Sequence, residues 1–79
     1  MAETFGDRMK RLRNERGLSR YAVSKATGLS QPMLTKVERY TSGNKVHGLT
    51  LRRLAKLYGV SIEYLLGPED DKEDEEHAA

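Results

Sequence analysis

There is no cysteine among the 79 residues, which removes disulfide frameworks, thiolate metal sites and cysteine nucleophiles together. Such a composition fits a reducing cytosol. No apolar run approaches the roughly 20 residues of a membrane-spanning helix, and the N-terminus, MAETFGDRMK, lacks the apolar core of a signal peptide. A soluble, cytoplasmic protein with no membrane partner is expected. No stretch alternates with period two, so strands are not expected. There is neither a glycine-rich phosphate loop nor a carboxylate pair in an apolar setting. His47 has no acidic or sulfur neighbour in its segment and His77 lies near the C-terminus, so neither reads as a metal ligand. No cofactor, metal site or enzymatic activity is expected.

What is present is charge, unevenly placed. Met1 to Gly67 carries thirteen Lys and Arg against five Asp and Glu, a net of +8, whereas Pro68 to Ala79 carries seven acids and one lysine, a net of −6. A basic body suits a polyanion, of which nucleic acid is the commonest, although a solvated surface also carries charge. Gly67 followed by Pro68 is a helix stop. The tail EDDKEDEEHAA has too little apolar surface to order itself by burial. The reading is one domain over 1–67 and a disordered acidic tail over 68–79, for which two roles stay open: a solubilising appendage, or a competitor with phosphate for the basic face.

Three local patterns set helix starts. Leu18-Ser19 precedes Val23, Leu29-Ser30 precedes Leu34, and Val60-Ser61 precedes Leu65, all at one spacing. Serine at an N-cap accepts from an orphan N–H, and the flanking apolar pair staples the first turn. Phe5, Met9 and Leu12 form one apolar stripe bounded by Gly17, and Leu51, Leu54, Ala55 and Tyr58 form another bounded by Gly59. The expectation is an all-α, five-helix bundle with helices over about 4–15, 20–27, 31–40, 49–58 and 62–66.

Helices two and three are separated by Gly28, Leu29 and Ser30 alone. A short turn containing glycine sets two helices at a steep angle, and Gly28 supplies the positive φ it needs. Val23, Ser24 and Thr27 face inward from helix two, and Leu34, Val37 and Glu38 from helix three. Small Ser24 lets the two backbones approach. The helical period gathers Pro32, Thr35, Lys36 and Arg39 on the outer face, with Gln31 at its N-terminal end. That face has no large aliphatic residue. It carries a glutamine suited to an adenine edge, apolar groups suited to thymine methyls, and two cations. Any polar helix surface looks similar, so the face alone decides little.

The segment FGDRMKRLRNERGLSRYAVSKATGLSQPMLTKVERY, followed by LRRLAKLYGVSIEYLLG, resembles the Cro/phage-repressor type of helix-turn-helix domain over residues 5–67. The resemblance implies a homodimeric DNA-binding transcriptional regulator, usually a repressor. It places Gln31, Pro32 and Met33 at base edges, with Thr35 and Lys36 one turn on. Arg20 and Tyr21 would reach phosphate, Arg20 also bracing Gln31, and Ser30, Arg39, Asn44 and Lys45 would add phosphate contact or support. Arg13 and Glu38 would form a partly buried ion pair tying helix one to helix three. Ile62, Tyr64 and Leu66 would face a two-fold partner, which sets recognition helices about 34 Å apart on a near-palindromic site.

Several positions depart from the family pattern. Arg20 stands where glutamine is common, Thr27 replaces a bulky apolar residue, and Pro32 cannot act as a polar base reader. Tyr40 stands where glycine often ends helix three, and the loop from Thr41 to Gly48 is longer than usual. Two other readings stay open at this point: an antitoxin-like module whose main task is to hold a protein partner, and an architectural or RNA-binding basic domain.

Overall fold

In the computed structural model, residues 3–67 are described, and they are entirely helical apart from turns. In chain order the elements are α1 (Phe5–Glu15), α2 (Arg20–Thr27), α3 (Gln31–Val37), a 3₁₀ turn (Gly43–Lys45), α4 (Gly48–Tyr58) and α5 over 62–67. No described residue is in a strand, and none of the described helices is long and apolar enough to cross a membrane. The segment 68–79, read from its composition as a disordered tail, lies outside the described residues.

Each helix start has a side chain that satisfies its orphan donors. Ser19 accepts from the Ala22 N–H at 3.0 Å, Ser30 from Met33 at 3.2 Å and Ser61 from Tyr64 at 3.0 Å. The stapling residues Leu18, Leu29 and Val60 pack against the core, and Val23, Leu34 and Leu65 lie within it. Thr4 caps α1 in a reciprocal box with Asp7, so α1 begins at Phe5, the first residue of its apolar stripe. His47 caps α4, its Nδ1 accepting from the Leu49 N–H at 3.3 Å. The sequence offered no role for His47 beyond a polar loop side chain.

One core joins all five helices. Phe5, Met9 and Leu12 come from α1, Val23 from α2, Leu34 and Val37 from α3, Leu51, Leu54, Ala55 and Tyr58 from α4, and Leu65 from α5, with Val46 closing the loop side. Full burial of a large apolar side chain contributes about 1.5–3 kcal/mol, so a core of this size leaves little surplus for defects.

The third helix is shorter than expected. It ends at Val37 rather than near residue 40, and tightened bonds follow, from Arg39 N–H to Lys36 C=O and from Tyr40 N–H to Val37 C=O. The cause lies in α1. Its first two N–H groups, at Phe5 and Gly6, donate to the carbonyls of Thr41 and Tyr40 at 3.2 and 2.8 Å. Those carbonyls point at α1 only if the chain has already left the helix. Gly6 permits the approach, because a Cβ there would run into the carbonyls of Glu38 and Tyr40.

Candidate nucleic-acid interface

The connection between α2 and α3 is held from three sides. Gly28 caps α2 in the left-handed conformation with φ of 79°. Ser24 Oγ donates to the Leu29 carbonyl at 2.5 Å. Thr27 Oγ1 donates to the Val23 carbonyl at 2.7 Å and accepts from the Leu29 N–H at 3.2 Å. From α4, Arg53 donates to the Thr27 carbonyl at 3.4 Å. The hydroxyl of Thr27 thus braces the turn, which explains a polar residue where bulk would otherwise serve the core.

Ser30 then starts α3, and Pro32 sits in its first turn, where no intrahelical acceptor exists for the N–H it lacks. Gln31, Pro32, Met33 and Lys36 are exposed and Thr35 is half-buried. Residues 31 and 35, and 32 and 36, are four apart, so they stack on one face of α3. Leu34 and Val37 anchor the opposite face in the core. Arg39 is not on that helical face as expected; it stands exposed in the turn that follows Val37. Ser30 Oγ is occupied as a cap, and Asn44 and Lys45 are exposed on the 3₁₀ turn that shapes the 41–48 loop.

Behind the face lies a buried ionic cluster. Arg13 grips both carboxylate oxygens of Glu38, Nε to Oε2 at 2.7 Å and Nη2 to Oε1 at 3.2 Å, while its Nη1 donates to the Leu18 carbonyl at 2.9 Å. The two side chains are only 10% and 7% exposed. The carboxylate holds the Arg13 guanidinium in its charged form, raising its pKa against the opposing effect of burial. Nearby Tyr58 is pushed up to about 12, first by burial and then by the negative charge of Glu38.

Arg20 also turns to this carboxylate. Its Nε and Nη2 both lie 3.2 Å from Glu38 Oε1. It is therefore directed at Glu38, not at Gln31 as expected. Tyr21, next in the chain, is 57% exposed, with the Lys25 ammonium 5.8 Å from its ring centre.

The other α1 arginines are also engaged. Arg8 donates to the carbonyls of Leu65 and Leu66, capping α5. Arg11 pairs with Glu3 and Glu15 and donates to the Tyr64 hydroxyl at 2.7 Å. That bond with Arg11 holds the Glu3 carboxyl below its ordinary pKa. Arg16 reaches the Leu12 and Tyr58 carbonyls and lies over the Tyr58 ring. By contrast, Lys36, Arg39 and Lys45 have no ion-pair or hydrogen-bond partner for their side chains among the described residues. These cations, on α3, just after it and on the 3₁₀ turn, are free to meet an external anion, as are Lys10, Arg52 and Lys56 on other elements among the described residues.

The side chains expected at a partner surface are partly committed within the chain. Ile62 and Leu66 are half-buried against the core, and Tyr64, 45% exposed, carries the bond from Arg11.

The helix-turn-helix family model matches residues 9–65, a span running from within α1 into α5. The chain belongs to the Cro/phage-repressor type of helix-turn-helix transcriptional regulators. Family membership makes it a DNA-binding regulator in class. The chain is similar to the uncharacterized HTH-type transcriptional regulator y4dJ of Sinorhizobium fredii (strain NBRC 101917 / NGR234), with 37% identity over 71 residues and 90% of each chain covered. No solved structure matches the chain.

Sequence reasoning missed Gly6, Arg53 and the capping role of His47. A glycine in the first turn of a helix was a visible clue to close approach. Nothing local to Arg53 announces a contact with a carbonyl 26 residues away.

Proposed function

We propose that this regulator is a cytoplasmic, nucleoid-associated, non-enzymatic repressor that binds a specific DNA sequence as a homodimer, with α3 in the major groove. Gln31, Pro32, Met33, Thr35 and Lys36 read base edges; Arg20, Tyr21, Ser30, Arg39, Asn44 and Lys45 contact or support contact with phosphate. Ile62, Tyr64 and Leu66 form the two-fold contact, which sets two α3 helices about one DNA turn apart and requires a near-palindromic site. The observation that carries the reading is the α3 face. Gln31, Pro32, Met33 and Lys36 stand exposed on it, mixing hydrogen-bonding, apolar and cationic groups, and it stands on a frame whose buried polar side-chain atoms are all hydrogen-bonded within the described residues.

Selection of bound sequences from a random duplex pool tests the proposal. Enrichment of one motif, repeated with inverted symmetry at a spacing of about 10 base pairs, is the expected result. A pool that stays random would leave a nonspecific polyanion binder, and a pool with no retained DNA would overturn DNA recognition altogether.

A further inference from the structure

We infer that Glu38 is a positioning residue for DNA binding, acting through Arg20: it grips one edge of that guanidinium and presents the other edge to a DNA phosphate. The inference rests on the DNA-binding reading above and adds a residue that lies behind the interface.

The geometry is specific. Glu38 Oε1 receives Arg13 Nη2 at 3.2 Å and also has Arg20 Nε and Nη2 at 3.2 Å. Arg20 thus commits its Nε edge inward, and its Nη1 has no partner among the described residues. The Glu38 side chain is 7% exposed, whereas that of Arg20 is 40% exposed. The inner edge of the fork is therefore fixed and its outer edge faces solvent. Arginine suits this role because its planar fork offers five donors, enough to serve a carboxylate and a phosphate at once.

Charge points the same way. One carboxylate between two guanidinium groups leaves the cluster with a net positive charge, and the exposed member carries it. Arg20 is also the first residue of α2, whose first turn holds no acidic side chain. An unheld arginine loses side-chain entropy on docking to phosphate; one already gripped loses less.

Two roles for Glu38 predict opposite signs. If Glu38 merely contributes negative charge near DNA, Glu38→Gln strengthens binding. If it positions Arg20, Glu38→Gln weakens binding although a repulsive charge has gone. The test is fluorescence anisotropy of the full chain against a labelled 20-base-pair duplex of random sequence, across a salt series, with folding of each variant checked by circular dichroism. Arg20→Ala is expected to weaken binding about tenfold, in keeping with a charge-assisted hydrogen bond. It should also flatten the slope of log K against log salt by about 0.9. Glu38→Gln is expected to weaken binding severalfold in the wild-type background and to do nothing further in Arg20→Ala. A purely structural defect would persist in both backgrounds.

Arg20→Lys provides a second arm should Glu38→Gln not fold. Lysine keeps the charge but lacks the fork, so its binding should fall close to that of Arg20→Ala. Wild-type affinity in Arg20→Lys, or equal or tighter binding in a folded Glu38→Gln, overturns the inference and leaves the DNA-binding reading intact. A wild-type protein that binds no duplex even at low salt overturns the reading on which it rests.

Discussion

The N–H of Gly6 donates to the carbonyl of Tyr40 at 2.8 Å, and this bond, with that from Phe5 to Thr41, relates the start of α1 to the turn that follows α3. It is short because Gly6 has no Cβ to hold the two backbones apart. Gly6→Ala is expected to destabilise the protein by about 1–3 kcal/mol, the range of an overpacked contact. Gly48→Ala, at a helical site with open space around the added methyl, should be neutral or stabilising by up to about 1 kcal/mol. Urea unfolding midpoints compare the two directly.

Arg13→Ala is expected to destabilise by about 3–5 kcal/mol, because Glu38 loses its bidentate partner inside the fold. Arg20 keeps part of that carboxylate's negative charge balanced, so the loss should lie toward the lower end. A denaturation curve unchanged within 1 kcal/mol would show that Arg20 alone suffices.

Gln31→Ala and Lys36→Ala are expected to leave the unfolding midpoint within about 0.5 kcal/mol of wild type, as for ordinary surface changes. On the selected DNA motif, Gln31→Ala should lower discrimination against the wrong base by about 1–3 kcal/mol. Competition binding with single-base variants of the motif measures it.

The Tyr58 phenol has its pKa raised to about 12 by burial and by Glu38. Its ordinary value is near 10, so the unfolded chain releases this proton first. The associated stability is fully present below pH 10 and is lost as pH rises from 10 through about 12. At 1.36 kcal/mol per unit of pKa shift, the loss is on the order of 2–3 kcal/mol. Unfolding wild type and Tyr58→Phe side by side from pH 9 to 12 checks it: the wild type should fall relative to the phenylalanine variant.

Removing residues 68–79 should strengthen binding to random DNA, most of all at low salt. Tethered acids act at a millimolar-scale effective concentration against a body of opposite charge. Equal affinities at 50 mM salt would exclude competition by this segment.

Features carried by neighbours in the chain were legible in advance. Ser19, Ser30 and Ser61 sit next to the helix starts they cap, so their signal lies within four residues. The apolar stripes of α1 and α4 were legible for the same reason: periodicity is a local property. The length of α3 was not, because its end is decided by α1, 34 residues back at Gly6 and Tyr40. The partner of Arg20 was hidden similarly, since a guanidinium chooses among acceptors by three-dimensional reach. The α3 face was legible as a register, but its polar character resembles any solvated surface. Its meaning came from the frame and the family.

The ties that give α3 its place run through residues other than those on its outer face. Glu38 binds Arg13 and Arg20, Ser30 caps the start, Tyr40 receives Gly6, and Leu34 and Val37 enter the core. Positions 31, 32 and 36 stand exposed outside this web. Their side chains can change through evolution or in the laboratory without drawing down the modest stability of so small a core. If α3 reads DNA as proposed, the same fold is retargeted by exchanging a few surface residues. A transplant of Ser19 to Arg39 alone, by contrast, would leave behind α1 and the contacts that keep α3 in place.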